Sequence, residues 1–242
     1  MLRKLVLGAA ALALTAGPAV AQDGSGSFRV GPRAGYTMYK DATGLKPGVG
    51  FGMDAVYSVT KNLGIGLLVD FARPQTDSSY FPVEMSFGGS SSDLNPEGET
   101  FIFGVQYPVT VAQYHLLAEF RFGNRFQPFF SGSAGAYTMY LDPQAARGNT
   151  HFTNWAFSAG AGFDFQAGSA TSVRLEARDF IFTRYDRANL EVQALAYDWT
   201  VSSGSFNQPV RFPEVLPSQE PFSGTAHNIQ VVLGFTFTPG GR

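Results

Sequence analysis

The sequence predicts an all-β protein, an up-and-down antiparallel transmembrane β-barrel of eight strands. Three observations predict this fold class. Apolar residues alternate with small or polar ones along most of the chain, which is the two-residue period of a β-strand. After residue 21 no apolar run approaches the roughly 20 residues that a membrane-spanning helix needs. Finally, short and long connections between the alternating segments follow each other in turn, as in barrels of bacterial outer membranes.

The chain begins with a segment typical of a secretory signal peptide. Arg3 and Lys4 precede an apolar run from Leu5 to Ala16, and the small residues Ala19-Val20-Ala21 form a cleavage site. The run is too short for a transmembrane anchor. We therefore predict a signal peptide over 1–21, cleaved after Ala21, a linker over 22–27, the barrel over 28–238 and a periplasmic tail over 239–242.

The composition supports a sheet protein and argues against several classes of partner. The chain has 28 Gly and 23 Phe but only 15% charged residues, and aromatic rings pack well on a pleated surface. Loss of Arg3 and Lys4 with the signal takes the formal net charge from −2 to −4, which disfavours nucleic acid as a partner. Cysteine is absent, so neither a disulfide framework nor a thiolate metal site is predicted.

Eight segments carry the strand alternation, and in the first four of them charged or small residues share one face. The predicted strands are 28–39, 49–59, 63–72, 111–122, 127–140, 153–166, 172–185 and 227–238. In the first, Arg29 and Arg33 alternate with Val30 and Tyr36. The polar faces of the second, third and fourth segments carry, in chain order, Gly50, Gly52, Asp54, Asp70, His115, Glu119 and Arg121.

The last four segments follow the same rule. The sixth has an apolar face from Trp155 to Phe165, opposite Gly160, Gly162 and Asp164. The eighth has an apolar face from Ile229 to Phe237. The polar face of the seventh carries Arg174, Glu176 and Arg178, and its apolar face carries Val173, Leu175, Ala177 and Ile181.

The lengths of the connections predict which end of the barrel faces the periplasm. Tight turns are predicted at 60–62, 123–125 and 167–170, and the other connections at 40–48, 73–110, 141–152 and 186–226. Outer-membrane barrels keep their short turns on the periplasmic side. We expect the strand-like pieces Thr100–Val105 and Glu191–Val201 to extend strands above the membrane, with a ten-stranded barrel as the alternative. The Ser-, Pro- and Gly-rich stretches 73–99 and 202–226 are expected to be mobile.

Ten charged residues share the polar face, and their number predicts which face meets lipid. A charge facing hydrocarbon costs roughly 2–4 kcal/mol at mid-depth for Arg or Lys, so these residues are expected inside. The lumen of an eight-stranded barrel is only wide enough for side chains. We therefore predict a lumen plugged by a structural or gating charge network of Arg29, Arg33, Asp54, Asp70, Glu119, Arg121, Asp164, Arg174, Glu176 and Arg178. Asp164 is expected to face Arg174 across a hairpin.

A soluble barrel such as a lipocalin is the main alternative to this orientation. It would enclose the phenylalanines and expose the glycines and charges. Two patterns disfavour it: glycines such as Gly50 and Gly160 suit the crowded interior of a small barrel, and aromatic residues gather near strand ends, as interfacial girdles do.

No catalytic, cofactor-binding or metal site is predicted. The histidines offer no short-spaced pair for a metal: His115, His151 and His227. The serines are candidate nucleophiles by type only, since no motif ties one to a histidine: Ser158, Ser172 and Ser223. Gly160-Ala161-Gly162 lacks the Gly-Lys-Ser/Thr sequence and the helix of a phosphate-binding loop. A divalent cation shared with lipopolysaccharide at Asp93, Glu97 and Glu99 is an alternative.

Three segments carry a resemblance to a known group of proteins. They are Arg125-Phe-Gln-Pro-Phe-Phe-Ser-Gly-Ser-Ala-Gly-Ala, Phe157-Ser-Ala-Gly-Ala-Gly-Phe-Asp and Val173-Arg-Leu-Glu-Ala-Arg-Asp-Phe. They resemble the last four strands of small bacterial outer-membrane barrels, the OmpA-like and OmpW-like barrel-domain group. Such families include structural, adhesive and solute-permeating members and a few lipid-modifying enzymes. The sequence departs from many of them at its end, where Phe237 is followed by Thr-Pro-Gly-Gly-Arg.

From these features we expect a monomeric, non-enzymatic barrel in the outer membrane of a Gram-negative bacterium, with a structural or surface-interaction role. The expected partners are outer-membrane lipid and lipopolysaccharide, and an extracellular ligand through loops 73–110 and 186–226. No cofactor and no nucleic acid are expected. The alternatives are a narrow channel for small solutes and an outer-membrane lipid-modifying enzyme, because a fold does not fix a function.

Overall fold

A computed structural model describes residues 26–80, 82–87, 99–104, 106–123, 126–141, 151–190 and 222–239. Strands in these ranges are β1 Phe28–Met38, β2 Gly48–Ser58, β3 Leu63–Ala72, β4 Pro82–Phe87, β5 Glu99–Gly104, β6 Val109–Arg121, β7 Phe126–Leu141, β8 His151–Gln166, β9 Thr171–Asp186 and β10 Ser223–Phe237. A 3-10 helix at Asp41–Thr43 follows β1. In the described ranges, no helix is both long enough and apolar enough to cross a membrane.

Eight of these strands close into an antiparallel barrel. Their order around the wall is β1-β10-β9-β8-β7-β6-β3-β2, and β2 returns to β1. Each barrel strand pairs with the barrel strands that precede and follow it in the chain, so that β3 pairs with β6. The pairing of β1 with β10 closes the ring. The predicted eight-stranded up-and-down barrel is confirmed, and the ten-stranded alternative is wrong.

The segment expected to extend a barrel strand forms a separate hairpin instead. Residues 100–105 were predicted as an extension, but β5 pairs with β4 in a two-stranded sheet of its own. A strand outside the barrel wall must find its own hydrogen-bond partner, and β4 provides one. Residues 82–87 belong to the stretch 73–99 that was expected to be mobile, and they form β4 of this hairpin. Residues 88–98, 202–221 and Glu191–Val201 lie outside the described residues.

The predicted strand boundaries hold to within a few residues, and the largest difference is at β10. This strand begins at Ser223, four residues before the prediction, and its first residues pair with the end of β9. The register shifts between Gly224 and Ala226 because β9 has one extra residue there. Such a bulge breaks the two-residue alternation, so the sequence pattern alone does not reveal this pairing. Residues 223–226 were wrongly expected in a mobile loop.

Side chains alternate between the two faces of the wall, and the apolar ones point outward. In β10 the residues from Ala226 to Phe237 alternate between buried and exposed. The exposed set includes large apolar side chains, for example Trp155 at 64% exposure. The connections that follow β2, β6 and β8 lie at one end of the barrel, which we call the turn end. The opposite end, with the longer connections, is the loop end.

Candidate functional site in the barrel lumen

The turn-end part of the lumen holds three arginines and three carboxylates in one network, the turn-end cluster. Its members are Arg29, Asp54, Glu119, Arg121, Asp164 and Arg174, which come from β1, β2, β6, β8 and β9. Arg174 joins three strands, because its guanidinium lies 2.9 Å from Asp54, 2.6 Å from Glu119 and 3.0 Å from Asp164. The cluster is neutral if every member is ionised.

The two other arginines of this cluster share the same carboxylates. Arg29 lies 3.0 Å from Glu119. Arg121 lies 2.9 Å from Asp164 and also contacts Glu119. Each carboxylate at this level therefore accepts from at least one arginine, and Glu119 accepts from three. Such sharing offsets the cost of holding charges away from water.

A second neutral group, the middle cluster, lies further toward the loop end. It comprises Arg33, Asp70, Glu176 and Arg178. Arg33 lies 3.4 Å from Asp70 and 3.5 Å from Glu176, and Arg178 donates to Glu176 from its Nε at 2.9 Å. Gln230 links the two sides, because it accepts from Arg33 at 2.9 Å and donates to Asp70 at 3.1 Å.

Hydroxyl groups extend the middle cluster toward His115. Arg178 donates to Ser158 at 3.2 Å, and the Ser158 and Ser133 hydroxyls lie 2.6 Å apart. The Ser133 hydroxyl lies 2.9 Å from Nδ1 of His115, whose Nε2 is buried without a hydrogen-bond partner. His115 therefore ends this polar chain beneath the ring of Phe180, at a centroid distance of 5.5 Å.

The structure brings together all ten residues of the predicted charge network. They form two separate neutral clusters rather than one, and the members are at most 5% exposed apart from Arg121, whose side chain is 11% exposed. Asp164 and Arg174 are cross-strand partners in the β8–β9 ladder, in the register expected from the turn.

Small residues make room for the charges. A Cβ on Gly160 would lie 2.7 Å from Glu176 Oε1 and 2.8 Å from Ser131 Oγ. The glycine therefore provides the space in which Glu176 accepts a hydrogen bond from Ser131 at 3.1 Å.

The loop-end part of the lumen contains a large cluster of aromatic and aliphatic side chains, which sequence reasoning missed. Tyr137 and Phe182 stack at 4.3 Å, and Tyr185 donates its hydroxyl proton to the carbonyl of Thr43 at 2.6 Å. We call this the aromatic cluster; its buried members include Tyr39, Leu45, Leu68, Val109, Val111, Tyr137, Met139, Phe180, Phe182, Tyr185 and Leu190. The sequence contained a signal for this cluster, because the inward-facing residues of β9 change from the charged Arg178 to the aromatic Phe180 and Phe182.

The remaining candidates lie apart from each other. His151 begins β8, and His227 lies on the outer wall, 2.7 Å from Asp179. Ser158 is in the lumen, Ser172 is in β9 and Ser223 begins β10. Asp93 and Glu97 lie outside the described residues, and Glu99 begins β5. Within the described ranges, no three His, Asp or Glu side chains are grouped to hold a metal ion.

The chain is similar to a known protein family and to several solved structures. The family model described as outer membrane protein beta-barrel domain matches residues 7–207. Among solved structures, the chain is similar to neisserial surface protein A, with 11% identity, 87% of this chain and 96% of that chain covered, and a TM-score of 0.49. It is also similar to the outer membrane protein OprG from Pseudomonas aeruginosa, with 12% identity, 89% of this chain and 97% of that chain covered, and a TM-score of 0.43. None of the curated proteins matches the chain.

Proposed function

Because the chain belongs to the outer membrane protein β-barrel domain family, we propose that it is a non-enzymatic barrel with a charge-plugged lumen and a structural or surface-interaction role. It is a protein of the bacterial outer membrane. Its turn end then faces the periplasm and its loop end the cell exterior, because short turns lie on the periplasmic side of such barrels.

The observation that carries the proposal is the filling of the lumen at three successive levels. The turn-end cluster and the middle cluster are each neutral, and the aromatic cluster lies above them. An eight-stranded barrel has an interior that side chains can fill completely. A water path would require separating buried ion pairs, and removing one partner of such a pair costs about 3–5 kcal/mol. This arrangement favours a rigid, closed wall over a pore.

The proposed role depends on the surfaces that the barrel presents. Its apolar outer wall contacts outer-membrane lipid, and loops 73–110 and 186–226 provide the surface for an extracellular ligand. The signal peptide is proposed to end at Ala21, and the mature chain to act as a monomer without a cofactor.

Planar-bilayer recording tests the closed lumen. The refolded protein is expected to give no discrete conductance steps, because the paired charges leave no aqueous path. Glu176→Gln and Arg178→Gln each break the middle cluster, and Lys61→Gln in the β2–β3 turn is the control that loses one positive charge, as Arg178→Gln does. Wild-type steps whose size changes with Glu176→Gln or Arg178→Gln, but not with Lys61→Gln, would establish a narrow channel instead.

Incubation with purified lipopolysaccharide and phospholipid tests the non-enzymatic part. No acyl chain is expected to be released under any condition, because the described contacts link His115 to a serine and His227 to a carboxylate but complete no serine–histidine–carboxylate relay. Release that requires the folded protein would assign it to the lipid-modifying enzymes.

A further inference from the structure

The outer wall of β9 and β10 carries a hydrogen-bonded aspartate–histidine pair among apolar residues. Asp179 follows Ala177 and precedes Ile181 on the outward face of β9. Its Oδ2 lies 2.7 Å from Nδ1 of His227, and its Oδ1 accepts the backbone N–H of Asn228 at 3.1 Å. The His227 side chain is 58% exposed. Asp179 is thus fixed by two hydrogen bonds and orients an imidazole that is open to its surroundings.

The height of this pair places it among lipid headgroups. His227 and Phe237 lie ten residues apart on β10, and both point outward. With a rise of about 3.3 Å per residue and a strand tilt of about 40°, they are separated by about 25 Å along the barrel axis. The apolar band of outer-membrane barrels is also about 25 Å tall. His227 therefore lies at the outer edge of that band, where a charge costs only about 0–1 kcal/mol.

Lys40 adds a cation beside the pair. Its backbone N–H donates to the Asn228 side chain at 3.4 Å, which places Lys40 next to the start of β10. Lys40 is exposed, two residues beyond the exposed Met38 at the end of β1, so its position continues the outward alternation of that strand. The ammonium lies 4.9 Å from the ring centre of Phe222, at the loop end.

We propose that Lys40 and His227 bind a phosphate group of lipid A in the outer leaflet. Because Asp179 holds Nδ1, the imidazole presents Nε2 to the phosphate, where a proton between Nε2 and a phosphate oxygen completes a hydrogen bond. The Lys40 ammonium supplies a cationic donor to a second phosphate oxygen. Ile229 and Val231 lie below this point on the same outward face, and Ile181 lies beside His227 as its cross-strand partner. The occupant must therefore carry acyl chains. Lipopolysaccharide meets both requirements at the loop end. This inference rests on the proposed membrane orientation.

Native mass spectrometry of the refolded chain with bisphosphorylated lipid A tests the site. The double variant Lys40→Gln/His227→Gln is expected to raise the dissociation constant about tenfold. The matched control Lys61→Gln/His151→Gln loses the same residue types from the β2–β3 turn and the start of β8, and it should bind as the wild type does. Equal weakening by both double variants would contradict the site.

The choice of lipid separates the sources of phosphate. Dephosphorylated lipid A, phosphatidylglycerol and inorganic phosphate are each expected to bind the wild type at least tenfold more weakly than bisphosphorylated lipid A. Equal binding of phosphatidylglycerol or inorganic phosphate would overturn the assignment to lipid A.

A direct measurement of the contact between His227 and lipid phosphate uses the wild-type protein, so it does not require any variant to fold. In lipid A-containing vesicles, the wild-type His227 Nε2 nitrogen is expected to show dipolar coupling to a lipid phosphorus by solid-state NMR. An inserted chain without this coupling contradicts the phosphate site alone. A chain that fails to insert contradicts the proposed function as well.

Discussion

Arg174 is the residue on which the turn-end cluster depends most. It contacts Asp54, Glu119 and Asp164, and its guanidinium carbon lies 4.2 Å from the ring centre of Phe129. A planar guanidinium can serve several carboxylates at once, which an ammonium group does less well. Its removal leaves carboxylates in the lumen short of a counter-charge.

Arg174→Met is therefore expected to lower the free energy of unfolding by about 3–5 kcal/mol. The measurement is urea unfolding of the protein in lipid vesicles, followed by the change in gel migration that unheated folded barrels show. Lys61→Met in the exposed β2–β3 turn removes a charge of the same sign and should change stability by less than about 0.5 kcal/mol. A similar small effect of both substitutions would contradict the assigned importance of the turn-end cluster.

At this scale, the sequence predicts the face of a residue but not its partners. Alternation alone puts Arg29 and Glu119 inside, yet their contact depends on how β1 and β6 face each other across the closed ring. Only a hairpin pair such as Asp164 and Arg174 can be derived from local register. Asp179 was overlooked, although its odd position between two outward apolar residues marked it as an exposed carboxylate.

Strand β8 illustrates how an element is adapted to a crowded lumen. Its inward positions include Ser158, Gly160 and Gly162, which lie against the charges of β9. A glycine in a strand normally weakens it, so the gain must come from the space that it gives to Glu176.

Gly160→Ala is expected to destabilise the barrel by about 1–3 kcal/mol, because the added methyl group overlaps Glu176 and Ser131. Gly168→Ala provides the control in the β8–β9 turn, since a Cβ there meets no atom within 4 Å. The measurement is the urea concentration at the unfolding midpoint of each variant in lipid vesicles. If both alanine variants unfold at the wild-type midpoint, the close packing around Gly160 is not essential.

At the loop end of β9, the two-residue alternation no longer predicts which face a side chain occupies. Arg184 has a φ of 51°, and the extra residue at this bulge turns Tyr185 inward although its position is odd. Tyr185 then joins the aromatic cluster. Period-two reasoning applies to regular strands only, and a positive φ at an arginine has no marker in the sequence.

For the whole molecule, connection lengths and alternation were sufficient to predict eight strands, their neighbours and the apolar exterior. They also placed the ten charged residues inside, but they did not predict the division of these charges into two clusters or the aromatic cluster beside them, because these levels arise only when eight inward faces meet. The separate β4–β5 hairpin also escaped prediction, since its pairing depends on a partner within the same long connection. The central claim is that apolar side chains face lipid while ion pairs lie within the barrel.

Fluorescence quenching by brominated phosphatidylcholine tests that claim most directly. Phe163 and Phe129 lie on neighbouring strands at adjacent register positions, but Phe163 is 42% exposed on the outer wall and Phe129 is 1% exposed in the lumen. Phe163→Trp and Phe129→Trp are compared in a background in which Trp155 and Trp199 are replaced by Phe. The brominated acyl chains should quench the tryptophan at 163 strongly and leave the one at 129 largely unquenched; strong quenching at 129 with none at 163 would contradict the orientation.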